Sequence, residues 1–137
     1  MQTQQKQQSQ QTAQQIEYPG ALDDLATSAY ELESHLRHIS AQFPDLSKDA
    51  RMATVCANLI AVSTLGLMVQ NDQEFHPRPD VSEGGNQTGA IIAVQDVLDH
   101  QQRVAALAPK NPFTSPLVAM IDSAVGQVTV YTDRIAP

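Results

Sequence analysis

From Met52 to Val69 the chain reads MATVCANLIAVSTLGLMV, eighteen residues without a charge. A run of this length and polarity has few outlets: it crosses a bilayer, or it forms a helix enclosed by the rest of the protein. Thr54, Asn58, Ser63, Thr64 and Gly66 dilute it, and the amphipathic segments around it need a common core. A central bundle helix is therefore the leading expectation. Single-span membrane association through residues 52–69 ranks below it. The predicted helix opens near Asp45 or Ser47, either of which can cap free amides, and runs to about Val69. Along it, Ala50, Ala53, Ala57, Ala61 and Thr64 form a seam of small side chains that lets a neighbouring backbone approach closely. Val55, Leu59, Val62 and Val69 form a bulkier face. Such a helix should be covered on most sides, by the bundle or by a partner chain.

The segments around it supply the enclosure. Leu22, Leu25, Ala29, Leu32, Leu36, Ile39 and Phe43 alternate at spacings of three and four, which places them on one narrow stripe of a helix between Pro19-Gly20 and Pro44. Asp23 and Asp24 suit the positive end of its dipole. A third helix is predicted from about Thr88 to Ala108, with Ile91, Val94, Val97, Leu98, Val104 and Leu107 inward and Asp96, Asp99, His100 and Arg103 outward. Asp99 and Arg103 stand four apart in the acid-first order that favours pairing. Pro109 and Pro112 interrupt it. The fourth opens at Ser115-Pro116, a capping hydroxyl with proline at the first helical position, and carries Leu117, Ile121, Ala124, Val128, Tyr131 and Ile135 on one stripe. Its segment Val125 to Tyr131 is β-branched enough to pass for a strand, but the period is helical.

The fold class that follows is all-α: a four-helix bundle of two antiparallel helical hairpins behind a polar tail. In it the first and fourth helices flank the second. Residues 71–89 hold two prolines and three glycines and are long for a connection, where about 4 to 6 residues are usual, so they form a crossover or a functional loop. Residues 1–16 are read as a Gln-rich tail and 17–137 as one domain. The first fifteen residues carry nine glutamines and no large apolar side chain but Met1, too little apolar surface to offset the entropy of ordering them. Glutamine is also a good helix former, so extension of the first helix is the alternative. No secretory signal is read at the start, which with a lone Cys56 points to the cytoplasm.

A formal charge of −7 and six aromatic residues, none of them Trp, disfavour a binder of nucleic-acid backbones or stacked bases. Five acidic residues and no basic one fall between Glu17 and Glu33, so the first helix presents an acidic face suited to a basic partner. Metal binding has residue types in its favour: Glu31, His35 and His38 follow at helical spacing and His100 lies on the third helix. Glu31 and His38 fall outside the first helix's stripe, however, with His35 at its edge. The Glu-x-x-His motif of bundle dimetal sites does not occur. Cys56 sits among apolar neighbours that make a thiol inert. No serine has the glycine-flanked elbow of a hydrolase. The Gly84-Gly85 stretch lacks a phosphate-binding lysine, and a turn capped by Asn86 or Thr88 explains it. No catalytic residue and no cofactor are expected.

Phe75-His76-Pro77-Arg78-Pro79 is the most suggestive local feature. Its prolines would display Phe75, His76 and Arg78 at low entropic cost; alternatively, Phe75 tucks back onto the bundle. The expected function is that of a small acidic, non-enzymatic helical protein working through protein–protein contact, of adaptor, chaperone, inhibitor or regulator type. It would meet a protein partner or form a homo-oligomer, with Phe75, His76, Arg78, Asp23, Asp24 and Glu31 as candidate contact residues. The alternative is a helical bundle binding a small ligand or metal in a pocket near His35, His100 or Tyr131.

Overall fold

The computed structural model describes residues 2–75 and 85–137, with side chains from residue 15 onward. Four helices make up the fold: α1 (Gln2–Gln42), α2 (Ser47–Gln70), α3 (Gln87–Leu107) and α4 (Ser115–Ile135), with a single 3-10 turn, Pro44–Leu46, between α1 and α2. No strand occurs among the described residues, and Val125 to Tyr131 is helical.

Leu22, Leu25, Ala29, Leu32, Leu36 and Ile39 are all fully buried, as the spacing predicts. Two expectations for α1 need correction. The Gln-rich segment is not separated from it: the helix begins at Gln2 and passes through Pro19. Proline there removes one amide donor, leaving the carbonyl of the exposed Gln15 to solvent. Glutamines joined to a preformed helix escape the cost of nucleating one. Phe43, the predicted end of the stripe, is exposed. It precedes Pro44, which disfavours helical geometry at the residue before it, and its backbone is extended at φ −123, ψ 94.

Contacts between ends fix the topology. Arg103 near the end of α3 meets Asp24 near the start of the α1 stripe, and Gly85 and Asn86, before α3, lie on His38 and His35 towards the end of α1. These helices are antiparallel. Arg134 at the end of α4 meets Asp49 at the start of α2, and Gln87 at the start of α3 donates to the Ile135 carbonyl at the end of α4, so those pairs are antiparallel too. α1 packs on α2 and α3, and α4 packs on the same two, which leaves α1 and α4 on one diagonal. The order is up, down, down, up. As expected, α2 stands between α1 and α4.

The connection between α2 and α3 therefore joins opposite ends of the bundle, and both of its described ends lie on α1. Gln73 Nε2 donates to the Pro19 carbonyl at 2.8 Å, and the Phe75 ring stacks on Tyr30 at 5.8 Å between centroids. Where the described chain resumes, a side chain at Gly85 would meet the His38 ring at 2.5 Å, and one at Gly89 would collide with the His35 imidazole. Glycine is required at both because the backbone lies directly on histidine rings. Asn86 caps α3, its Oδ1 accepting from the Gly89 amide at 2.7 Å. At α4 the capping residue is Thr114 and not Ser115; Asn111 Oδ1 accepts from the amides of Phe113 and Thr114 and organises the turn.

On α3, Val94, Val97 and Val104 are buried together with Ala90 and Ala93, while Ile91, Leu98 and Leu107 are only half-buried. Arg103 reaches Asp24 at 3.5 Å across the α1–α3 contact instead of the predicted Asp99.

Candidate interaction face

The seam of small residues on α2 is fully enclosed: Ala50, Ala53, Ala57, Ala61 and Thr64 have no exposure. The bulky face is not. Val55 is 64 % exposed, Val69 77 % and Leu59 39 %, and Met52 and Val62 are exposed with them. Within one bundle α2 is covered on its small-residue side only, and packing geometry sets which side that is. Alanines permit close approach of α1 and α4 on the inner side, and the branched side chains, too bulky for that contact, are turned outward.

The exposed residues form an ordered stripe. Met52, Val55, Leu59, Val62, Gly66 and Val69 alternate at spacings of three and four, the period of a helix seam that packs against another helix. Asn58 on the α1 side donates to Glu33, and Cys56 on the α4 side lies 3.7 Å from Gln127 Oε1. Gly66 faces Leu117 of α4. Met120 of α4, also exposed, broadens the apolar surface towards that helix. Scattered exposed apolar residues are ordinary on a protein surface; a stripe along a whole helix is not.

α2 is also long and apolar enough to cross a membrane, with a mean hydropathy of 1.9. Half of that apolar window is buried inside the bundle, as in the core helix of a folded domain. What remains outside is the stripe.

The other candidate residues are dispersed. Phe75 tucks back onto Tyr30 and is half-buried, whereas His76 and Arg78 lie outside the described residues. Asp23 is half-buried, and Asp24 is engaged by Arg103, so neither stands free for a partner. Glu31 is exposed on α1. His38, expected on the outer face of α1, is half-buried, with Gly85 lying against its ring. His35 is occupied as well: its Nδ1 accepts the Asn86 amide at 3.2 Å. His100, expected outward, is half-buried, and its Nδ1 has no hydrogen-bond partner. Among the described residues no three side chains of metal-binding type converge. A depression of about 380 Å³ does exist, lined by Tyr18, Leu67, Gln70, Asn71, Phe113, Thr114 and neighbours. It lies where α2 ends and α4 begins, away from His35 and Tyr131.

Glu33 was not foreseen as a buried group. It is 6 % exposed where α1 meets α2, with Oε1 2.5 Å from Arg37 Nη2 and Oε2 3.4 Å from Asn58 Nδ2. A carboxylate in such a place needs a paired charge and hydrogen bonds. The Glu-to-Arg spacing of four along α1 was the available signal.

Comparison of the chain with known protein families, curated proteins and solved structures finds no match. Function has to be argued from this surface.

Burial holds the His35 imidazole below its usual range, outweighing the opposing pull of Glu31. Below about pH 6.5 the unfolded chain takes up the proton more readily than the folded one. Stability from this site is thus present above that pH and is lost as pH falls towards the folded value. Denaturant unfolding at pH 7.5 and 5.5 should show a larger loss for the wild type than for His35→Gln. Equal losses would remove His35 from the account.

Proposed function

We propose that the protein is a non-enzymatic interaction module that binds another protein chain through the outer face of α2. The supporting observation is the exposed stripe Met52, Val55, Leu59, Val62 and Val69, which runs the length of a helix whose opposite side is anchored in the core. Such a face offers another helix a seam with knobs-into-holes spacing. The predicted prolyl display segment contributes less, since Phe75 is engaged by Tyr30. Adaptor, chaperone, inhibitor and regulator roles all operate through contacts of this kind.

The test is a photo-crosslinking amino acid at Val62, compared in the native cells with one at Asp96, an exposed residue of α3. Protein adducts should form from position 62 and not from position 96. Adducts to lipid alone, or none from position 62, would overturn the reading.

A further inference from the structure

We infer that the occupant of the α2 face is a second copy of this chain, docked with its α2 antiparallel about a two-fold axis between Leu59 and Val62. The inference rests on the proposed use of that face for protein contact and names what fills it.

The stripe is complementary to itself in this one direction. With Leu59 set against Val62 of a second copy, Val55 meets Gly66 and Met52 meets Val69, because the same spacings recur when the sequence is read backwards. Every large side chain then has an apolar counterpart. Val55, one of the most exposed residues of the stripe, then lies against Gly66 and the Leu117 side chain that borders it.

Charge selects the same direction. Lys48 and Arg51 are exposed at the amino end of α2, on the helix face that carries the stripe, and outnumber the exposed Asp45 just before the helix. Asp49 at that end turns to α4 and is paired with Arg134 at 3.5 Å. Asp72 and Glu74 are exposed just beyond the carboxyl end. Between these ends the stripe carries no charge. Antiparallel docking brings the basic end of each copy to the acidic end of the other and opposes the two helix dipoles, whereas parallel docking sets Lys48 and Arg51 against their own copies. The contact is isologous and closes at two subunits. Since Gly66 borders Leu117 and Met120 widens the apolar surface, the α2–α4 edge of each bundle would flank the paired helices.

The experiment uses the full chain. Sedimentation and light scattering over a concentration series should show a monomer–dimer equilibrium with no larger species, and Leu59→Glu, which places a carboxylate in the seam, should raise the dissociation constant at least about 30-fold. Far-UV circular dichroism checks that this variant is folded. Independently of it, a nitroxide attached at Asp45→Cys in a Cys56→Ala background reads the direction by pulsed dipolar spectroscopy. At a rise of 1.5 Å per residue, the two labels of the antiparallel dimer lie about 45 Å apart, against under about 20 Å for a parallel one. A dimer with the long distance and sensitivity to Leu59→Glu supports the inference. A short distance, a larger assembly, or a dimer indifferent to Leu59→Glu overturns it. A chain that stays monomeric at 100-micromolar order also overturns it; the wider reading would then stand or fall on the adducts from position 62.

Discussion

Leu36→Ala should lower the unfolding free energy by about 3 kcal/mol, the middle of the range for truncating a buried leucine. Leu36 has no exposure, and it lies on α1, the helix that touches α2, α3 and the crossover. Truncation there opens a cavity in the core-facing side of α1. For a domain of this size the midpoint of thermal unfolding should fall by roughly 10 °C, with cooperativity retained. A loss below about 1 kcal/mol would mean that α1 is not the central element described. The same truncation at Val55, on the outer face of α2, should cost well under 1 kcal/mol in the monomer, because its side chain is already in water.

A larger contrast is expected between two adjacent residues of α2. Ala61 is fully enclosed and Val62 is exposed. Glutamate at position 61 has to bury an unpaired carboxylate and force apart a helix contact lined by small side chains, two penalties that act together. Their sum is comparable to the whole stability of a domain, about 5 to 15 kcal/mol, so Ala61→Glu should unfold the chain or leave it only partly helical. In the single bundle, glutamate at position 62 projects into solvent from a helix that tolerates it. Its cost to the fold should stay within about 0.5 kcal/mol.

Helical period made most of the fold legible. Leu22 through Ile39 could be assigned inward because polar residues separate them at regular spacing, and Ile121, Ala124, Val128 and Ile135 for the same reason. The crossover was visible only as length and prolines. The docking of α3 and the residues just before it on α1 depends on rings meeting glycines, His38 at Gly85 and His35 at Gly89, contacts far apart in sequence. The direction α2 faces was the hardest part to read. A helix apolar all round gives period analysis no contrast, and what decides is side-chain size: alanines admit close neighbours, valines and leucines do not. The seam of alanines carries that information, and the bulkier face of Val55, Leu59, Val62 and Val69 is its complement. Glu33 escaped notice because its burial depends on Asn58 of α2 as well as on Arg37.

The inside-out arrangement of α2 is the central claim, since the contact face exists only if the alanines are enclosed and the valines are not. Far-UV circular dichroism of Ala61→Glu and Val62→Glu, recorded side by side at 20 °C order temperatures and equal concentration, tests it most directly. Wild-type helical content in Val62→Glu together with collapse of the signal in Ala61→Glu is the predicted result. Equal loss in both, or a folded Ala61→Glu beside an unfolded Val62→Glu, would contradict it.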